Sequence, residues 1–327
     1  MLLAAIALLP GCHEVTEYSS AGEIGVVVVD LEGFTVEGVI EGFDGGRAIL
    51  SVGEHAFIVS SNRGRLFVGD SEARNIENVY QIGTPFGSGY CSIVPGSSSV
   101  YVLGGFGSIL EFNLSTHSVV DEFQAGPLPL NLCRAGFAQY VYVADGQDGK
   151  VREVWISDNE VHEEFDLSVP IGSIATSEMS GSDPLVLATA ACDDSAFILR
   201  PGFPDYHSTI VLSSPAVDAC ALPDSAVFFL SHPDIDGSGG VTKIHVSELY
   251  TSASVWTLEG EACLTCVDPV FGRLYVACRI PGGTTRIYEM SIPGGMAILR
   301  TLEVDGSPRD MIIQGAYAGR LLLLTSG

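Results

Sequence analysis

Lysine is nearly absent: Lys150 and Lys243 are the only two in 327 residues. Lys and Arg together number 15 against 40 Asp and Glu, for a formal net charge of -25. A phosphate backbone would be repelled at every approach, which excludes nucleic acid as a ligand. The same imbalance favours a soluble monomer, and the partner that charge alone would suit is a basic patch or a cation. Long hydrophobic runs are missing too. The apolar stretch from Met1 to Leu9 is too short to span a bilayer. No amphipathic helical stretch exceeds about two turns. Charged residues are 17% and hydrophobic residues 46%, a balance that excludes a disordered chain. The common hydrolase signatures are also lacking. There is no Gly-x-Ser-x-Gly elbow and no His-Glu-x-x-His. His13, His55, His117, His162, His207, His232 and His245 are dispersed, with no two at metal-ligand spacing.

What is present is all-β punctuation: 38 glycines and 16 prolines scattered between short β-branched and aromatic runs. One run recurs along the chain. It reads Ala56-Phe57-Ile58-Val59-Ser60, Ser99-Val100-Tyr101-Val102-Leu103, Tyr140-Val141-Tyr142-Val143-Ala144, Leu185-Val186-Leu187-Ala188, Ala226-Val227-Phe228-Phe229-Leu230, Leu274-Tyr275-Val276-Ala277 and Arg320-Leu321-Leu322-Leu323-Leu324. Its anchors, Phe57, Tyr101, Tyr142, Val186, Phe228, Tyr275 and Leu322, are spaced by roughly 41 to 47 residues, the period of a propeller blade. The spacing predicts six complete blades near 47–83, 90–126, 131–168, 171–214, 216–260 and 262–305. Residues 24–43 carry only two strands, and 310–327 carry two more before the chain stops. Together they predict a seventh, composite blade that closes the ring and removes its open edge. The expected fold is therefore all-β, a seven-bladed propeller of four-stranded antiparallel blades.

Gly83-Thr84-Pro85, Gly126-Pro127-Leu128-Pro129 and Gly306-Ser307-Pro308 mark the blade junctions. Glycine permits the sharp turn, and proline belongs at a strand start because it cannot donate to a ladder. Gly-x-Pro, a short apolar strand, the Leu-Tyr-Val-Ala strand, then a strand ending in Asn or Asp before a Ser/Thr turn resembles the YVTN-type, lactonase-like seven-bladed propellers. Residues 108–126 carry the resemblance most fully. The resemblance implies a secreted or surface protein and points any activity to the axial funnel. It carries no motif over residue by residue.

Leu9-Pro10-Gly11-Cys12 resembles the bacterial lipobox, in which a small residue precedes a cysteine that is acylated. Pro10 stands where that pattern has a small or β-branched residue, and no Lys or Arg precedes the apolar run. The expectation is a signal peptide over 1–11, a lipidated tether over 12–22 attached through Cys12, and a single propeller domain over 23–327. This places the protein outside the cytoplasm, held to the bacterial envelope by its lipid.

Two groups of residues are candidate sites. Asp234, Asp236 and Ser238 alternate before a glycine-rich stretch, as oxygens do in calcium loops. The bidentate acid of an EF-hand is missing, since His245 stands at its position. Calcium is thus the one cofactor the sequence raises; otherwise none is expected. The second group lies where the inner strands begin: Arg47, Asn131, Arg134, Asp218, Thr265, Arg309 and Asp310, set to line the axial funnel. Seven cysteines follow Cys12. Four of them, Cys91, Cys133, Cys220 and Cys266, recur at similar places in the inner strands, where small buried residues are expected. Cys263-x-x-Cys266 lacks the second pair a zinc site needs, and a Cys266–Cys278 disulfide is geometrically conceivable. The expected function is a non-catalytic, lipid-anchored binding or scaffold module that recognises an envelope protein or a small ligand on its faces. The alternatives are a lactonase-like hydrolase in the funnel and a calcium-stabilised surface or adhesion protein.

Overall fold

The computed structural model describes residues 24–84, 92–96, 98–104, 107–134, 139–177, 184–203, 207–247, 251–314 and 319–327. Cys12 and Cys91 lie outside them. The described residues form 28 strands in seven sheets of four, all pairings antiparallel, with no helix. The blades occupy 46–81, 93–124, 129–166, 171–211, 218–258 and 261–305, within a few residues of the sequence expectation. The remaining blade is composite. Strands β27 (Ser307–Gln314) and β28 (Arg320–Ser326) form its inner half. Strands β1 (Ile24–Asp30) and β2 (Thr35–Glu41) form its outer half. Strand β1 pairs with β28 without a break from Ile24↔Ser326 to Asp30↔Arg320. That ladder joins the two ends of the chain.

The core follows from side-chain alternation. In a strand, successive side chains point to opposite faces, and each blade is packed on both. Val27 and Val29 of β1 join Tyr275 and Ile287 of the preceding blade, whereas Val26 and Val28 join Phe57 and Val59 of the following one. This is why Ile24–Asp30 is apolar almost throughout instead of alternating. The described core falls into seven such clusters, one at each junction. Three blades add a polar device to this packing. Tyr101, Tyr142 and Tyr275, all buried, lie directly across from Glu111, Glu153 and Glu289. Tyr142 donates to Glu153 Oε2 at 2.8 Å. Burial raises both groups, the Glu153 carboxyl and the Tyr142 hydroxyl.

Gly126 shows why a junction glycine is needed. Its φ is 143°, and a Cβ there would sit 2.3 Å from Asp145 Oδ2 and 2.5 Å from Arg152 Nη1. The same Asp145 oxygen accepts from Leu128 N at 2.9 Å, fixing the turn into the next inner strand.

Candidate functional site

The seven inner strands surround an axial cavity of about 450 Å³. They are β3 (Gly46–Ser51), β7 (Ile93–Pro95), β11 (Pro129–Arg134), β15 (Ile171–Ser177), β19 (Asp218–Leu222), β23 (Glu261–Asp268) and β27. Arg47, Asn131, Arg134, Asp218, Arg309 and Asp310 all line the cavity. Thr265 stands just behind the wall, bonded to Asp218. No histidine is among the lining residues.

The side chains of this wall do two different things. One inner-strand position faces the next blade. Asp310 Oδ2 accepts from Ile49 N at 2.7 Å, Asp218 Oδ2 from Thr265 N at 2.7 Å, and Ser92 Oγ from Leu132 N at 3.0 Å. Each is a polar side chain reaching an inner-strand amide one blade on. The equivalent residues in β11 and β15 are Asn131 and Ser173. In the remaining two blades they are Ala48 and Leu264, which makes no such bond from their side chains possible. In five blades the position follows a bulge in the pairing of the inner strand, which turns the side chain out of the ladder. Asp310 is saturated further: its Oδ1 accepts from Met311 N at 2.8 Å. Asp218 Oδ2 also accepts from Thr265 Oγ1 at 3.1 Å.

Burial pushes both carboxyls up, Asp218 to about 6 and Asp310 to about 7, against the lowering effect of these bonds. The nearby charge of Asp218 raises Asp310 further. Arg47, Arg309 and Asp310 share the cavity wall. Arg134 donates to Pro95 O at 2.8 Å. Arg47 is half-buried in the wall and, among the described residues, makes no hydrogen bond or ion pair.

The other candidate group resolves into a hairpin. Ile235 pairs with Ser238 across Asp236 and Gly237, which have φ of 53° and 86°. Asp-Gly with both residues at positive φ is the two-residue turn that suits strand twist. Asp234 Oδ1 accepts from Gly237 N at 2.8 Å, so one candidate ligand oxygen is engaged in the turn. Among the described residues no three His, Cys, Asp or Glu side chains are grouped to hold a metal.

The cysteines correct one expectation. Cys266 and Cys278 are both free. Cys266 faces Tyr275, and Cys278 lies opposite Ala262 at the far end of the same ladder, so the two are on neighbouring strands but not opposed. Cys133, Cys220 and Cys263 are also free, while Cys192 is disulfide-bonded. Burial raises the thiols of Cys133, Cys220 and Cys266; Cys266 is buried, whereas Cys133 and Cys220 are half-buried beside the cavity.

Sequence reasoning missed Ser92 and the bracing role of Asp218 and Asp310. The signal was available in the repeat, because Ser92, Asn131, Ser173, Asp218 and Asp310 recur at the same blade position. It also missed the buried tyrosine–glutamate pairs, whose offsets in sequence vary with turn length.

No protein-family model matches the chain, and no curated protein matches it in sequence. Solved structures do match in shape. A chain of Kuenenia stuttgartiensis hydrazine synthase aligns with a TM-score of 0.67 at 12% identity, over 86% of this chain and 96% of that one. A chain from a mitotic checkpoint complex crystal structure also gives 0.67 at 12% identity, over 78% of this chain and 79% of that one. Likeness at this identity is likeness of fold, and it agrees with the seven-bladed propeller. One such fold hosts many functions.

Proposed function

We propose that the protein is a non-catalytic binding module of the bacterial envelope, anchored through Cys12, that holds an anionic group of its ligand at the axial tunnel. The observation that carries this reading is Arg47. A guanidinium set in a tunnel wall with no hydrogen-bond or ion-pair partner among the described residues, in a chain of net charge -25, is a site for an anion from outside the protein. The saturated carboxyl of Asp310 favours binding over hydrolysis. Asp310 accepts backbone hydrogen bonds on both oxygens and so serves as a brace between blades. A general acid or base needs an oxygen free to reach substrate. The hydrolase alternative rests on the family resemblance, and the protein-interaction reading draws on the mitotic checkpoint neighbour only as a precedent of fold.

The test is a thermal-shift and calorimetry series on the full chain with small carboxylates and phosphate esters. At least one should raise Tm by mass action, and Arg47→Met should weaken it by about tenfold, the cost of one charge-assisted hydrogen bond. A panel with no effect on the wild-type protein, or with equal effect on Arg47→Met, would remove the tunnel from the reading. The anchor is tested apart from the tunnel: Cys12→Ser should release the protein from the membrane fraction, and unchanged fractionation would remove the lipid.

A further inference from the structure

Among the described residues the outermost strand of each blade is an unpaired edge, and six of the seven are blunted. Strands β2, β6 (Asn75–Gln81), β10 (Ser118–Gln124), β14 (Val161–Asp166) and β26 (Ile298–Asp305) each carry an extra residue opposite the neighbouring strand: Glu37, Glu77, Val120, His162 and Leu299. A bulge bends an edge and breaks its row of outward amides and carbonyls. All five also carry acidic residues. Strand β18 (His207–Val211) has neither device, but it is only five residues long.

Strand β22 (Thr251–Leu258) has none of these protections. It reads Thr-Ser-Ala-Ser-Val-Trp-Thr-Leu, with no charge, proline or glycine. It pairs with β21 (Ser238–Val246) from Gly239↔Leu258 to Val246↔Thr251 without a register shift. Thr251 through Val255 are exposed. A long, regular, uncharged edge presents outward-facing backbone donors and acceptors to any strand that can lie beside it.

We propose that β22 is a self-association edge, which pairs antiparallel with β22 of a second copy of this chain across a twofold axis. Charge selects this occupant. Self-pairing of β10 or β14 about its centre would set Asp121, or Glu163 and Glu164, against their symmetry mates, which costs free energy, and in all five bulged edges the extra residue interrupts the row of backbone groups. At β22 the row is unbroken and only Ser, Thr, Ala, Val, Trp and Leu meet. Antiparallel pairing of one segment with itself satisfies the isologous rule for a twofold dimer. The interface is small, so the dimer is weak, and two bodies of charge -25 repel one another. The chain is therefore a monomer at low salt and associates as ions screen that repulsion, since the backbone hydrogen bonds themselves are little affected by salt.

The experiment is sedimentation velocity of the full chain over a concentration series at about 50 mM and about 500 mM NaCl, where screening lengths differ roughly threefold. The expected result is dimerisation that strengthens by about tenfold at the higher salt. Hydrogen-exchange protection should be gained at 251–258. Ser252→Lys with Ser254→Lys places like charges across the axis and should leave a monomer at both salts, with an unchanged Tm showing that the blade is intact. Val120→Lys on β10 should change nothing. A wild-type chain that stays monomeric throughout overturns the proposal. So does a double-lysine variant that dimerises as before, or association that weakens with salt, the behaviour of an acidic surface binding a basic partner.

Discussion

The junctions on either side of the composite blade differ from the junction between the blades at 93–124 and 129–166. In the latter, both blades are continuous in sequence. Their described polar links include the Ser92–Leu132 bond, Arg134 on Pro95 O, and Asn159 Nδ2, which donates to Asp121 Oδ2 at 2.6 Å. The composite blade has no peptide bond between its halves, and its flanks carry clamps that involve arginine. On one side Arg300 bonds to the buried Glu289 and donates to Leu31 O and Glu32 O, each at 2.8 Å, while its guanidinium lies 4.8 Å from the Phe34 ring. On the other side Asp310 holds Ile49, Gln314 accepts from Ser71, and Arg320 bridges Glu37 and His55.

The comparison can be broken most severely by removing 310–327. The composite blade would lose most of β27 and all of β28, opening the ring and exposing the apolar face of β1. The expected outcome is an insoluble or molten product; a cooperative calorimetric melt would show that the ring holds without its closing ladder. Next comes Arg300→Ala, which strips the main-chain carbonyls of Leu31 and Glu32 of a donor and leaves Glu289 with Arg273 alone. Denaturant unfolding should show a loss of about 2–3 kcal/mol. Arg286→Ala, whose partners Glu259 and Glu303 are exposed, should cost less than about 1 kcal/mol. Equal losses would mean that the seam is not special.

Asp310→Asn sharpens the comparison through pH. The folded-state pKa of Asp310, about 7, lies above the ordinary carboxylate value, so the folded chain binds the proton more tightly than the unfolded chain does. Its contribution is complete at acid pH and is lost as pH rises through about 7. The asparagine keeps an acceptor for Ile49 N and does not titrate. It should flatten the decline in Tm between about pH 5 and pH 8 and gain about 1–2 kcal/mol at the alkaline end. Parallel pH profiles would show that Asp310 is ionised without penalty. The smallest effect belongs to the ordinary junction. Ser92→Ala leaves Leu132 N without its acceptor and should cost about 1 kcal/mol by chemical denaturation. A loss as large as that for Arg300→Ala would erase the contrast.

Much of the ring was legible because its code is local. Each blade repeats one apolar strand, and a strand packed on both faces has to be apolar at every position, as Val26 to Val29 are. The composite blade followed from counting strands at the two ends. Most of the tunnel residues were legible as positions, since the inner strands of a ring of blades surround its axis. Their roles were not. Whether Asp310 offers its oxygens to a ligand or to Ile49 depends on where the next blade's amide lies, and Ile49 is 261 residues away in sequence. Asp234 and Asp236 show the reverse case: the Asp-Gly step signals the hairpin turn that the structure has there.

The seven blades, their order, their closure and several of the side chains around the axis are written in the sequence, because period and alternation are properties of the chain. The packing of the blades decided which of those side chains brace the ring and which, like Arg47, make no hydrogen bond or ion pair among the described residues. It also decided which outer edge is left regular and uncharged. Hydrogen-bond partners and bulges are set by how one blade meets the next, a relation between segments that no single segment encodes.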